Sequence, residues 1–484
     1  MPDGTVPAEA YIDDQPLYET PKKVYPAAVH GPFRRFKWFV MAVTLGIYYF
    51  LPFVRWDRGP NAPDQAVLVD FEGRRFYFFA IELWPQEIYY ITGLLVLASV
   101  VLFLANALAG RVWCGYTCPQ TVWTDLFLSV ERLIEGDRRE RIKLDNGPWT
   151  PKKVAQKATK HFAWLMIAWW TGGAWVLYFA DAPTLVRDLA LFEAPWTAYM
   201  WIGILTGTTY LLAGFAREQV CIYMCPWPRI QAALTDEHAL NVTYRVDRGE
   251  PRGSLKKSAG QAAKGLKTGD CIDCYQCVHV CPTGVDIREG SQLGCIQCGL
   301  CIDACNTIMD KIGKPHGLIA YDTDVNVGRR AEGKPEVFNF IRPRTLIYTG
   351  VLALVGSIML YVLVTRDFVD VTAQHDRNPL YVELANGDVR NGYRIHLMNK
   401  RAVPRRFLLT MEGIEGAELE VVGNDLEVFG NPVIEVGPDS TRDVRLLVFA
   451  PRDQIPSKST PIRFRITEAE TGESATTRDF FKAP

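Results

Sequence analysis

Cysteine is missing from most of this chain: none of its 12 copies stands before Cys114 and none after Cys305. A disulfide framework scatters cysteine pairs through a small secreted domain, so four tight groups exclude that reading and point to metal ligation. Net charge is also lacking. The 53 basic and 54 acidic residues leave a formal −1, so nothing global selects nucleic acid as a partner, and charge informs only through its position. No Gly-rich dinucleotide fingerprint follows a strand-like run, which leaves a bound flavin or nicotinamide without support. One compact core does not suit 484 residues, because domains run to roughly 100–200 residues.

What the chain has in quantity is apolar and aromatic sequence. Many of its 13 Trp and 20 Tyr crowd beside long apolar runs, as at a membrane interface. Five segments approach the roughly 20 residues that a helix needs to span a hydrocarbon core: Trp38–Val54, Glu87–Gly110, His161–Ala180, Thr197–Ala216 and Thr345–Val364. The first follows Lys22, Lys23, Arg34, Arg35 and Lys37 and lacks a small-x-small cleavage pattern after it, so it reads as an uncleaved anchor. Lys and Arg are retained on the cytoplasmic side. The loop between spans two and three carries Arg111, Arg132, Arg138, Arg139, Arg141, Lys143, Lys152, Lys153, Lys157 and Lys160, whereas the loop after span three carries only Arg187. This orients the N-terminus inward and the C-terminus outward, and Arg329, Arg330, Arg342 and Arg344 before the last span agree. Arg55, Arg58, Arg74 and Arg75 in the first external loop dissent mildly.

The expected organisation is an inner-membrane protein with a cytoplasmic tail (1–37), a first helix pair (38–110) and a cytoplasmic loop (111–160). A second pair (161–216), a long cytoplasmic loop (217–344), a fifth span (345–364) and an external domain (371–484) follow. Within the long loop, Arg248–Asp270 is polar and rich in Gly and Lys, as linkers are, and a ferredoxin domain is expected over about 262–315. After Val364 come short alternating runs, among them Tyr393–Met398, Arg406–Met411, Thr441–Val448 and Pro461–Ile466, separated by turns such as Gly423-Asn424-Asp425 and Gly437-Pro438-Asp439. That spacing suggests an antiparallel, immunoglobulin-like β-sandwich.

Cys271, Cys274, Cys277 and Cys281-Pro282 form C-x2-C-x2-C-x3-C-P, and Cys295, Cys298, Cys301 and Cys305 repeat the spacing, with Asn306 in place of proline. In this bacterial ferredoxin pattern three close thiolates wrap one [4Fe-4S] cube and the fourth Cys crosses to the other. Cys271, Cys274, Cys277 and Cys305 are therefore the expected ligands of cluster one, and Cys281, Cys295, Cys298 and Cys301 those of cluster two. Zinc sites also use C-x2-C, but as pairs, whereas here there are two triplets with a distal fourth.

Two further motifs stand just after apolar hairpins: Cys114 and Cys118-Pro119, and Cys221 and Cys225-Pro226. Each is C-x3-C-P, and the repeat of two spans plus motif reads as an internal duplication. Cysteines at i and i+4 share a face if the backbone is helical, so a two-fold packing of the repeats gathers four thiols. Soft thiolates select Cu(I), zinc or iron-sulfur centres, and the Met224 thioether suits Cu(I). Ordinary buried cysteines or a thiol-disulfide relay are the plainer alternatives. His161, Met166 and Met200 within the spans read more readily as packing residues. His375, His396 and Met398 could form a copper exit site, but a strand-borne His and Met is more often surface and core.

Two C-x3-C-P motifs after membrane hairpins, a two-cluster ferredoxin insert, a last span and a Cys-free external sandwich resemble, over nearly the whole chain, the CcoG family, also called RdxA or FixG. The membrane part alone is also similar to polyferredoxin-like subunits of nitrate and nitrous oxide reductase systems, which generally lack the C-terminal domain. The CcoG resemblance implies a cupric reductase that converts Cu(II) to Cu(I), for the copper-exporting P-type ATPase and the subunits of cbb3-type cytochrome c oxidase. On that implication Cys114, Cys118, Cys221 and Cys225 are the catalytic, copper-handling residues, supplied by the two [4Fe-4S] clusters. Two other readings stand beside it: an electron-transfer module between the quinone pool or a soluble donor and a partner complex, and a non-catalytic oxidase assembly factor. Membrane lipid is an expected partner. The electron donor is unknown from sequence, and a homodimer is left open.

Overall fold

The computed structural model describes residues 23–60, 62–401, 403–423 and 426–484. The expected N-terminal tail is thus described only from Lys23, and the turn at Asn424-Asp425 lies outside the described residues. The chain divides into two units. The first runs to Phe50 and includes Ile91–Leu177 and Asp188–Leu354; the second comprises Leu51–Tyr90, Tyr178–Arg187 and Val355–Pro484.

Among the described residues four helices are long and apolar enough to cross a membrane: Pro32–Phe53, Pro85–Ala109, Trp196–Ala216 and Pro343–Val364. They leave large apolar side chains uncovered, such as Phe39, Leu95 and Leu360, each more than 60% exposed, a pattern that water would penalise and lipid would not. The chain is membrane-associated. The expected segment His161–Ala180 lies in a longer helix, Pro151–Val176. Its opening turns carry Lys152, Lys153, Lys157 and Lys160, its apolar part starts only after them, and it ends four residues short of Ala180.

In the first unit, the amphipathic helix Pro119–Glu135 buries three acids that tie the unit together. Asp125 accepts from Arg34 at 2.9 Å with Lys37 at 3.9 Å. Glu131 meets Arg217 at 2.8 Å and Arg141 at 3.4 Å, and Glu135 meets Lys160 at 2.9 Å and Lys157 at 3.0 Å. The ferredoxin fold is wider than the expected 262–315: strand Asn241–Tyr244 pairs antiparallel with Ile319–Asp322, closing it from both sides. The stretch 248–270 is no loose linker. Gly269 N–H donates to Pro251 O and Asp270 N–H to Arg248 O, both at 3.0 Å, so its ends meet, and Leu255–Ala262 is helical between them.

The second unit contains a two-sheet sandwich. One sheet pairs Glu418–Val421, Ser440–Ala450, Val389–Asn399 and Val369–His375 in that order; the other pairs Glu427–Val428, Asn431–Val436, Arg405–Glu412, Ser459–Glu468 and Ser474–Lys482. Alternate residues fill its core, including Tyr393, Ile395, Leu397, Phe407, Leu409, Phe464 and Ile466, all fully buried. A small three-stranded sheet, Val67–Asp70, Arg75–Phe78 and Ile81–Leu83, belongs to the same unit. Here three of the four dissenting arginines find structural work. Arg55 pairs with Asp181 at 2.6 Å, Arg58 donates to the carbonyls of Pro63, Gln65, Ala66 and Phe79, and Arg75 pairs with Glu82 at 3.0 Å and donates to Asp439 O. His375 and His396 are not brought to one point. His375 bonds Asp376 O and Asn391 Oδ1, while His396 pairs with Asp443 at 2.5 Å.

Candidate metal centres

The two C-x2-C-x2-C loops have the same backbone. Asp273 (φ 58°) and Tyr275 (φ 57°) in the first are matched by Gln297 (φ 55°) and Gly299 (φ 73°) in the second, all left-handed. Alternating left-handed residues wind each loop around a hollow. At Tyr275 an L side chain bears this conformation, and Arg288 stacks over its ring at 4.0 Å. Each loop then enters a helix, Gln276–His279 and Leu300–Lys311.

Two cavities of about 360 Å³ result. Cys271, Cys274, Cys277 and Cys305 line one, with Ile308, Met309 and Leu318 around them. Cys281, Cys295, Cys298 and Cys301 line the other, with Val285, Ile287 and Ile296, and Cys277 reaches its wall. Each cavity thus gathers three cysteines of one run and the fourth of the other. Four thiols around an apolar hollow fit an iron-sulfur cube, which takes four cysteine thiolates as ligands. Burial pushes the thiols of Cys277, Cys295 and Cys305 up to about 12 and that of Cys301 well above its ordinary value. Without a cation these thiols stay neutral; a bound cationic centre reverses the balance.

The C-x3-C-P motifs share one device. Cys118 N–H donates to Trp113 O at 2.9 Å and Cys225 N–H to Val220 O at 2.8 Å, in each case the residue before the first cysteine. The expectation of two cysteines on one helical face is corrected. Cys114 lies in a helical turn, Val112–Tyr116, and Cys221 in a π-helical turn, Val220–Met224, but Cys118 (ψ 127°) and Cys225 (ψ 122°) have left the helix. The following proline explains this, because its ring disfavours the helical region for the preceding residue. The four thiols still share one neighbourhood. Burial and then Cys118 push Cys114 up to about 12, against the pull of Arg111, with Cys221 and Cys225 adding to the rise. Burial, Cys118 and Cys225 push Cys221 up to about 11. Among the described residues no three His, Cys, Asp or Glu side chains converge closely enough to hold a single ion.

Both motifs abut the second cluster cavity. A Cβ on Gly115 would stand 2.8 Å from Ile296 O and 3.1 Å from Cys298 Cα, so only glycine allows the approach. Tyr116 Oη donates to Cys298 O at 2.9 Å, and Cys114 packs in one apolar cluster with Cys298 and Cys301. On the other flank Cys221 lines a cavity of about 330 Å³ with Lys37, Glu218, Pro282 and Thr283, directly after Cys281.

Protein-family comparisons follow this division. Residues 216–324 match a 4Fe-4S dicluster domain, residues 91–135 a 4Fe-4S binding domain, and residues 359–484 the IG-like fold at the C-terminus of FixG. The nitrogen fixation protein FixG of Rhizobium meliloti is 49% identical over 96% of this chain and 91% of its own length. The chain belongs to the FixG/RdxA family. Protein RdxA of Cereibacter sphaeroides is 47% identical over 94% of this chain and 95% of its own length. A solved FixG-related protein from Vibrio parahaemolyticus, 20% identical, covers 24% of this chain and 96% of its own, with a TM-score of 0.21. As a FixG/RdxA-family member with these domains, the chain is an iron-sulfur redox protein.

Several residues at the site escaped sequence reasoning. Arg111 counts in the sequence only as an orienting charge, yet it is buried and donates to Leu293 O (2.5 Å), Cys295 O (3.2 Å) and Pro228 O (2.8 Å). Gln297 Oε1 receives Arg111 N–H at 2.6 Å. Gln231, a fully buried amide far from any motif, accepts from the Cys114 thiol at 3.2 Å. Arg111 and Tyr116 adjoin a motif, which was a usable signal; nothing in the sequence marks Gln231.

Proposed function

We propose that this family member is a membrane-bound cupric reductase that supplies Cu(I) for a copper-exporting P-type ATPase and for assembly of cbb3-type cytochrome c oxidase. Cys271, Cys274, Cys277 and Cys305 would hold one [4Fe-4S] cluster and Cys281, Cys295, Cys298 and Cys301 the other. When bound, the clusters supply electrons one at a time, at potentials that can be strongly reducing. Cys114, Cys118, Cys221 and Cys225 receive the substrate Cu(II), and their sulfurs favour the Cu(I) product. The observation that carries this reading is the seating of Gly115 and Tyr116 on the backbone of Ile296–Cys298, which sets the thiols against the second cluster's ligand loop.

Sidedness follows from the loop charges: the thiols and ferredoxin fold are cytoplasmic and the sandwich is periplasmic. Arg55, Arg58 and Arg75 weigh little against this, since each is consumed by contacts within its own unit. The experiment mixes purified protein with Cu(II), a reductant and a Cu(I) chelator. Cu(I) should appear much faster than with C114S/C221S, and equal rates would end the assignment. A second reading is electron transfer to a partner complex without copper as substrate, which needs only the close seating of the first C-x3-C-P loop on the second ligand loop. Quinol- or donor-driven cluster bleaching that no Cu(II) reverses would select it.

A further inference from the structure

Of the twelve cysteines only Cys274 is exposed. It lines the first cavity, and Tyr275 beside it is 46% exposed. Next to this opening stands the closed excursion 251–269, seated on the ligand loop by Gly253 N–H donating to Cys271 O at 3.1 Å. From Arg252 to Lys267 it carries Arg252, Lys256, Lys257, Lys264 and Lys267, all exposed, and no acid. The four lysines have no ion-pair partner among the described residues, and Arg252 reaches only Glu250, at 3.8 Å. The other charges at the rim neutralise each other: Arg288 with Asp273 and Asp286, each at 2.5 Å, and Asp270 with Arg248 and Lys314. Exposed Leu255 and Leu266 add apolar contact area to the basic strip.

We infer that this face is the electron entry port, docking a small acidic protein that carries one electron. The inference rests on the ligand assignment proposed above. The carrier loses one electron and the cluster at Cys271, Cys274, Cys277 and Cys305 gains it, with no bond made or broken. Entry is thereby set on the first cavity and exit on the second, which both C-x3-C-P motifs abut. An uncompensated basic strip at the mouth raises the encounter rate of an acidic partner, and salt weakens that gain. An anionic membrane surface is the less apt occupant, because lipid would make no use of Cys274, the exposed cysteine beside the strip.

The test uses the full-length protein in phosphatidylcholine nanodiscs, without copper, mixed anaerobically with a reduced acidic flavodoxin while cluster bleaching is followed by stopped flow. Changing Lys256, Lys257, Lys264 and Lys267 together to Glu should lower the second-order rate by about tenfold or more and abolish its decline with added salt. The same four changed to Gln should give an intermediate loss. Reduction by a small uncharged photoreductant and the paramagnetic signals of both clusters should stay as in the unmodified protein. Equal flavodoxin rates in all three proteins would overturn the inference, as would an equal loss with the photoreductant. So would a loss seen only in nanodiscs containing phosphatidylglycerol, which would give the strip to lipid. With no copper present, failure of the cupric reductase reading leaves this result untouched, while absence of cluster signals in the unmodified protein would remove the ligand assignment instead.

Discussion

Gly115→Ala places one methyl group where the first C-x3-C-P loop rests on the second iron-sulfur loop. The new Cβ would stand 2.8 Å from Ile296 O, 3.1 Å from Cys298 Cα and 3.2 Å from Cys298 N, where ordinary contact begins at 3.4 Å, a shortfall of about 0.6 Å at the carbonyl. All three neighbours are backbone, and Tyr116 and Arg111 hold that backbone by hydrogen bonds to Cys298 O and Cys295 O. No side-chain rotation relieves the clash, so the loops must part. Overpacking a filled interior costs about 1–3 kcal/mol, which corresponds to about 5- to 150-fold in a local opening equilibrium. Hydrogen exchange at Thr117 and Cys118 reads that equilibrium directly, and protection should fall by this factor. Reoxidation of the reduced protein by Cu(II) should slow relative to reoxidation by ferricyanide, a soluble oxidant that takes electrons at the exposed cluster. Gly173→Ala is the control, since a Cβ there meets nothing within 4 Å. Unchanged protection together with an unchanged ratio of the two rates would refute the claim that these loops form the electron path.

Arg111→Lys keeps the charge but loses the planar fork, so the carbonyls of Leu293, Cys295 and Pro228 cannot all be served. Each hydrogen bond from a charged donor contributes about 1.5–3 kcal/mol, and one cluster signal should weaken while the other persists, with less iron per chain. Asp125→Asn strands Arg34 and Lys37, both buried; removing one partner of a buried pair costs about 3–5 kcal/mol, which should appear as a markedly lower thermal midpoint in nanodiscs. Arg288→Gln tests the rim of the first cavity by pH. Hydrogen bonding and charge from Arg288 hold Asp286 below the usual carboxylate range, so its stabilisation is full above the unfolded value of about 4 and is lost as pH falls through the lower folded value. The difference in cluster lifetime between the unmodified protein and R288Q should be constant above that pH and close below it; a difference that grows on acidification would contradict the assignment.

What the sequence made legible was whatever is encoded within a few residues. The C-x2-C-x2-C spacing demands loops wound around a common centre, and the alternating strand pattern from Tyr393 to Leu397 demands one buried face; the structure has both. Readings that depend on distant partners fared differently. Arg111, Arg141, Lys153 and Lys160 look like surface charges along the chain, and all four are buried, because partners elsewhere in the chain are waiting for them: carbonyls near the second cavity for Arg111, acids on the helix Pro119–Glu135 for Arg141 and Lys160, and the carbonyls of Asp145 and Gly147 for Lys153. The linker reading of 248–270 failed for a related reason: composition reports flexibility of a free segment, whereas backbone hydrogen bonds at Pro251 and Arg248 close this one into a loop. The helical-face reading of C-x3-C-P failed locally, because the proline after each second cysteine takes that cysteine out of the helix, whatever the spacing suggests.

That last correction bears on chemistry. Two cysteines locked on one helical face would offer a rigid pair of sulfurs, but here the first cysteine of each pair is held in a helical turn and the second sits in extended backbone ahead of a proline. Cys114 is buried, anchored by Gln231 and packed against Cys298 and Cys301, whereas Cys118 and Cys225 are only half-buried and stand outside the helical turns. On the proposed copper reading that asymmetry divides the labour, with the sulfurs held in helical turns facing the electron supply and the other two facing the metal. Substituting Cys118 and Cys225 should then weaken retention of Cu(I) more than its formation, while substituting Cys114 and Cys221 should do the reverse.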